Sequence, residues 1–187
     1  MAVRHESGQV EMPVNPSPPS GYEQTVLPHL DAAYALARFL VRDDHDAEDV
    51  VQDAYLRALR YFGSYRGGDA RTWLLAIVRR TCYTWLRRRR VRSLDAEFDE
   101  RVHGVDAAGD DPATLATRGA LKDTLLEAVE RLPVEFREVV VLRDIEGLSY
   151  REIAQVAGVP VGTVMSRLSR ARRRLHAALS PADLERS

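Results

Sequence analysis

Wherever this chain concentrates its apolar residues they recur at intervals of three and four, and nowhere do they alternate, so the sequence commits to helices. From Tyr22 to Val41 the repeat is carried by Leu27, Leu30, Ala33, Tyr34, Leu36, Ala37 and Leu40, with Pro28 marking a start or a kink. A second segment, capped by Asp44 or Asp46, carries Val50, Val51, Ala54, Ala58, Leu59 and Phe62. The loop GSYRGGD at 63–69 feeds a third, from Ala70 to about Arg90, with Trp73, Leu74, Ile77, Val78, Cys82, Trp85 and Leu86 turned inward. The pattern then stops: residues 93–117 hold seven acids against a single Arg, with Gly104, Gly109 and Pro112 among them. It resumes near Arg118 through Leu121, Leu125, Leu126 and Val129, breaks at Pro133, and continues through Phe136, Val139, Val140 and Leu142. The expected fold is all-α. Two small helical domains, 21–92 and 118–180, are joined by a flexible acidic linker, 93–117, and preceded by a flexible proline-bearing leader, 1–20.

The second domain ends in a helix-turn-helix. Ser149 and Glu152 form an S-x-x-E capping box, Ile153, Ala154, Val156 and Ala157 give the first helix an inward face, and Gly158 stops it. Pro160 stands where the next helix begins, and Val164, Leu168 and Leu175 anchor that helix. Its remaining faces carry Thr163, Met165, Ser166, Arg167, Ser169, Arg170, Arg172, Arg173 and Arg174, with no acid between Glu152 and Asp183 to oppose a phosphate backbone. A hairpin with a solvated basic face would look partly similar, but so many turn and cap signals coincide that DNA binding is the expectation.

Composition bounds the rest. The formal net charge of -1 conceals segregation: residues 70–94 hold eight Arg and no acid, whereas 43–53 hold six acids and no Lys or Arg. A lone cysteine, Cys82, excludes an internal disulfide and a Cys-rich zinc site and fits a reducing cytoplasm. The five His are scattered without ligand spacing, and Asp43, Asp44, His45 and Asp46 read as capping rather than as a metal site. No apolar run approaches the ~20 residues of a membrane span, and no signal-peptide pattern opens the chain. The expectation is a cytoplasmic protein with no cofactor, metal, membrane contact or small-molecule substrate.

Three stretches in this order, DAEDVVQDAYLRAL at 46–59, YRGGDARTWLLAIVRRTCYTWLRRRR at 65–90 and the GTVMSRLSRAR core within 147–175, give the chain a resemblance to the extracytoplasmic-function sigma factors of the sigma-70 family. That resemblance covers 25 to about 178. It implies a first domain (region two) that grips core RNA polymerase and melts the downstream promoter element, a second (region four) that reads the upstream element, and an anti-sigma protein as a further partner. Asp49, Gln52 and Asp53, at i, i+3 and i+4 on one polar face, would dock on the clamp helices of the polymerase large subunit. On spacing alone the acids fit solvating the helix and favouring its dipole better than they fit a docking site. The resemblance assigns melting to the glycine loop and the helix after it. There Tyr65, Tyr83, Arg66, Arg71, Arg79 and Arg80 supply the cationic and aromatic groups that hold a displaced strand and its unstacked bases, with Tyr65, Arg66 and Arg80 favoured over the core-spaced Trp73 and Trp85. In the recognition helix, Thr163, Met165, Ser166, Ser169 and Arg170 fall nearest base edges, with Arg170 suited to guanine. Arg167, Arg172, Arg173 and Arg174 fall nearest phosphates. Members of the family often carry Lys or Arg where this chain has Met165, which implies apolar contact or shape readout at that position. The linker would thread the polymerase cleft, or serve as a plain solvated tether.

Two other classes compete. A response regulator shares the terminal helix-turn-helix but needs a receiver domain of alternating strands and helices, and residues 22–92 show only helical periods. An enzyme acting on nucleic acid needs a nucleophile and base, a phosphate loop or a metal cluster, and none is present, so catalysis falls to the polymerase.

Overall fold

A computed structural model describes residues 19–96 and 124–179; the leader as far as residue 18, and the linker from residue 97, lie outside the described residues. Helices account for the regular structure among the described residues, as the periodicity predicts. The N-terminal unit runs α1 (Tyr22–Val26), a 3-10 turn at Leu27–His29, α2 (Leu30–Val41), α3 (Asp44–Tyr61), a second 3-10 turn at Phe62–Ser64, and α4 (Ala70–Ala96). Helical residues 124–130 (α5) open the C-terminal unit, followed by α6 (Val134–Val140), a π-type turn at Val141–Ile145, α7 (Tyr150–Ala157) and α8 (Val161–Ala178).

In the first unit α2, α3 and α4 pack against one another. Leu36, Ala37 and Leu40 meet Val50, Ala54 and Ala58 of α3 and Leu74, Leu75, Val78 and Cys82 of α4 in one buried cluster. Small residues on α3 allow the close approach, and fully burying each Leu or Val contributes about 1.5–3 kcal/mol. Tyr22 closes one end: its ring stands edge-on to Tyr55 and Phe62, and its hydroxyl donates to the Tyr55 carbonyl at 2.7 Å. Cys82 is wholly buried, and that burial pushes its thiol pKa up to about 12.

Two boundaries differ from the expectation. The residue capping α3 is Asp43, one position earlier, whose carboxylate accepts from the Asp46 N–H at 2.9 Å. Helix α4 continues past Arg90 to Ala96, because Arg is a good helix former even where no apolar stripe marks the turn. Leu75 and Thr81 join the buried side of α4, whereas Ile77, Trp85 and Leu86 are only half-buried. Between α2 and α3, Arg42 takes the left-handed conformation (φ 66°) that closes α2, its N–H reaching the Arg38 carbonyl at 2.9 Å.

The second unit is wrapped around α6. Phe136, Val139 and Val140, the π-turn residues Val141 and Leu142, and Ile153, Val156, Val164, Leu168 and Ala171 are buried together. The π turn is recorded by the Glu146 N–H bonding back to Val141 at 2.9 Å, one residue further than an α-helix would reach. The two units lie against each other, α4 on α7 and α2 on α6 and the π turn, so that their buried residues form one continuous cluster.

Candidate nucleic-acid interface

The helix-turn-helix is built as its sequence directs. Ser149 Oγ accepts from the Glu152 N–H at 3.3 Å while the Glu152 carboxylate accepts from the Ser149 N–H at 2.6 Å, completing the capping box. Those bonds hold the Glu152 carboxyl below its ordinary range. Gly158, at φ 64°, ends α7 in the left-handed conformation that glycine adopts without strain, and Pro160 starts α8, its carbonyl accepting from Thr163 and Val164. Ser149→Ala is expected to lower stability by about 1 kcal/mol, because it leaves a first-turn N–H of α7 without its cap. A urea titration of the full chain measures it, and an unchanged midpoint at unchanged slope would show the box to be dispensable.

On α8, Val164, Leu168 and Ala171 face inward, and Met165, Ser166, Ser169, Arg170 and Arg173 are exposed. Thr163 is half-buried at the first turn, its carbonyl accepting from the Ser166 hydroxyl at 2.9 Å. Arg170 and Arg173 pair with nothing among the described residues. The other arginines do. Arg172 meets Asp144 at 2.8 Å, Arg174 lies over the Phe136 ring at 5.0 Å, and Arg167 points inward to the carboxylate of Glu138 at 3.8 Å. Arg167 therefore does not lie on the open face with Arg170 and Arg173.

The loop after α3 forms a pocket of about 370 Å³ lined by Ser64, Tyr65, Arg66, Gly67, Asp69, Thr72, Trp73 and Ala76, with Gln155 of α7 at its edge. Tyr65 is fixed in its wall: the ring stacks on Phe62 at 5.9 Å and tilts against Trp73 at 5.1 Å, and the hydroxyl donates to the Gly68 carbonyl at 2.7 Å. Gly67 and Gly68 have φ of 84° and 98°, so the turn requires residues without a side chain there. Asp69 caps α4, accepting from the Thr72 hydroxyl and the Arg71 N–H; the Thr72 bond is the larger cause of its lowered carboxyl pKa. A second groove of about 400 Å³, lined by Arg57, Tyr61, Ser64, Trp73, Ala76, Ile77, Arg80 and Thr81, shares Ser64, Trp73 and Ala76 with the first. Together they make a trough with aromatic walls and cationic edges.

The six loop and α4 candidates thus separate. Tyr65, Arg66 and Arg80 border the trough. Arg71, Arg79 and Tyr83 turn instead to the second unit, Arg71 pairing with Glu146, Arg79 with Glu138, and Tyr83 donating to Glu138 at 3.2 Å. Glu138 is fully buried, and burial, only partly offset by Arg79, raises its carboxyl pKa. Sequence reasoning set Trp73 aside as core and overlooked Arg57 and Tyr61. Trp73 is half-buried between both cavities, and a helical stripe cannot tell such an edge position from an interior one.

Asp49 and Gln52 are exposed on α3, and Asp53 is half-exposed and held by Arg57 through two bonds of 3.1 and 3.0 Å. The three do not share one hollow. Asp49 and Asp53 border a dip toward α4 with Thr84, Trp85 and Arg88, whereas Gln52 borders an apolar hollow with Leu27, Leu30, Tyr34, Val51 and Tyr55. Among the described residues no three His, Cys, Asp or Glu side chains converge as a metal site needs, and no helix is long and apolar enough to cross a membrane.

The family description Sigma-70 region 2 matches residues 25–92, and Sigma-70, region 4 matches residues 122–175. The chain is 37% identical to the ECF RNA polymerase sigma factor SigE of Mycolicibacterium smegmatis over 88% of its own length, and spans 63% of that protein. It is 34% identical to the RNA polymerase sigma-H factor of Pseudomonas aeruginosa over 97% of both chains. Among solved structures, the sigma factor RpoE of Bartonella quintana, in complex with the anti-sigma factor NepR, superposes with a TM-score of 0.72 at 29% identity over 86% of this chain and 97% of that one. CnrH, solved with the cytosolic domain of CnrY, gives 0.57 at 26% identity over 84% and 86%.

Proposed function

Because the chain belongs to the extracytoplasmic-function sigma factors of the sigma-70 family, the initiation factors that direct RNA polymerase to promoters, we propose a division of labour among its surfaces. The domains are taken as 21–92 for polymerase binding and melting and 118–180 for duplex recognition, with 93–117 as the link. The observation that carries the reading is the pairing in one chain of an aromatic, cation-edged trough with a recognition helix whose exposed face has no acid. Arg170 and the exposed Met165, Ser166 and Ser169, with Thr163, read base edges; Arg173 holds phosphate. The trough receives the displaced strand, with Arg66 and Arg80 on its backbone and Tyr65 and Trp73 against its bases. Strand opening and phosphodiester chemistry occur at the polymerase, in the cytoplasm. An anti-sigma protein is a further partner of this chain, as NepR is of the solved sigma factor RpoE.

Core polymerase docks on α3. Asp49, Gln52 and Asp53 supply the polar part of that face, and exposed Leu27, Tyr34 and Leu56 supply apolar area around it, the combination expected of a protein contact. The reading is tested by run-off transcription with purified core polymerase, with and without the chain, on a promoter library. Asp49→Arg with Asp53→Arg is expected to weaken core-polymerase binding at least tenfold, the loss of about 1.4 kcal/mol, while helicity and duplex binding persist. Unchanged affinity in a titration of the double variant would remove these residues from the docking face.

A further inference from the structure

We propose that Glu138 is a latch that holds the two helical units of the free chain closed and keeps Arg167 of the recognition helix from duplex DNA. Glu138 lies on α6 with none of its surface exposed. Its carboxylate receives Arg79 Nε and the Tyr83 hydroxyl (3.2 Å) from α4 of the first unit, and lies 3.8 Å from Arg167 Nη1 on α8 of the second. A carboxylate taken wholly out of water is tolerated only when paired, and two of its three partners reach it across the boundary between the units. Around it the same boundary is crossed by Arg71 to Glu146, Arg38 to Glu130 at 3.0 Å, and Arg137 Nη2 to the Leu40 carbonyl at 3.4 Å. Each crossing sets a guanidinium of one unit against an oxygen of the other.

The closed state is imperfect in a way that favours release. Nη1 of Arg167 and Nε of Arg137 are buried without a hydrogen-bond acceptor. Beside Arg137, burial and the neighbouring charge of Arg42 lower the guanidinium pKa to about 10. Each orphaned donor costs the closed form free energy that water, or a phosphate in the case of Arg167, would return. While the latch holds, Arg71, Arg79 and Tyr83 of the melting helix and Arg167 of the recognition helix are occupied by the chain itself. The closure rests on geometry alone; its consequence for DNA rests on the reading of α8 as the recognition helix, extended here to Arg167.

The test uses the full chain. Glu138→Gln keeps the shape and removes the charge, and Arg79→Gln cuts the same contact from the opposite unit. In small-angle X-ray scattering both variants should show a larger radius of gyration than the unmodified chain, with unchanged helicity by circular dichroism. Glu138→Gln should also bind duplex about tenfold more tightly at low salt, the gain expected if closed molecules outnumber open ones by that ratio. Equal radii, expansion in only one variant, or loss of helicity in place of expansion would each overturn the latch, the last by assigning Glu138 to the interior of a single unit. Expansion in both with no gain in duplex affinity would overturn the restraint on DNA binding and remove Arg167 from the duplex contact.

Discussion

Removing Tyr65 and Arg66 together, as Tyr65→Ala with Arg66→Ala, is expected to lower the extent of strand opening on duplex promoters roughly 10- to 100-fold, since stacking one base on an aromatic wall is worth about 1–3 kcal/mol. Closed-complex formation should persist, because the recognition helix and the α3 face are untouched. The two side chains act differently. Arg66 is exposed at the rim of the loop pocket, whereas Tyr65 is held between Phe62 and Trp73 and ties down the Gly68 carbonyl. Tyr65→Phe, which keeps the ring and loses the tie, separates wall from tether: a Phe variant as impaired as the Ala variant would mean that loop shape, not stacking, is what opening needs. Permanganate reactivity of unpaired thymines follows the melted strand, and a template already mismatched across the downstream element should rescue the double variant. Normal opening on duplex would make the loop a connector.

Arg170→Ala is expected to cost about 1–3 kcal/mol on the cognate upstream element and little on scrambled duplex, because a guanidinium bonding O6 and N7 of guanine discriminates sequence and a phosphate contact does not. Arg173→Ala should weaken both duplexes alike and flatten the salt dependence by about one unit of slope. Both side chains are exposed and without partners among the described residues, so neither change disturbs packing. Equal losses on both duplexes for Arg170→Ala would reassign it to the backbone. Arg167 is unsuited to the same comparison, since its removal also frees a buried contact to Glu138.

What the sequence made legible was what depends on neighbours along the chain. The repeats on α2, α3 and α4, the Ser149 and Glu152 box and the Gly158 stop are local; the box and stop are where capping chemistry puts them, whereas within the repeats Leu27 and Tyr34 are exposed and Ile77, Trp85 and Leu86 only half-buried. The positions that escaped depend on distance. Nothing along the chain marks Glu138 on α6, because Arg79, its partner, stands 59 residues earlier. Arg71 and Glu146 are 75 apart. Arg137 is buried for the same reason, capping the Glu130 carbonyl while reaching Leu40 across the boundary. The π turn at Val141–Ile145 escapes because one added residue leaves the spacing of apolar positions almost unaltered while rotating everything after it. Asp53 shows the converse: its place on the polar face was legible, but not that Arg57 on the same helix already holds it.

Cys82 carries a consequence for how such a chain can receive a signal. Its sulfur is sealed in the core cluster of the first unit and is kept protonated far above neutrality, so it lacks both the access and the thiolate that oxidants and electrophiles require. The protein is deaf to redox stress through its own thiol while folded. The same seal turns the residue into a clock: a thiol reagent in excess marks the chain only when α4 lifts from its neighbours, and the rate of marking counts those openings.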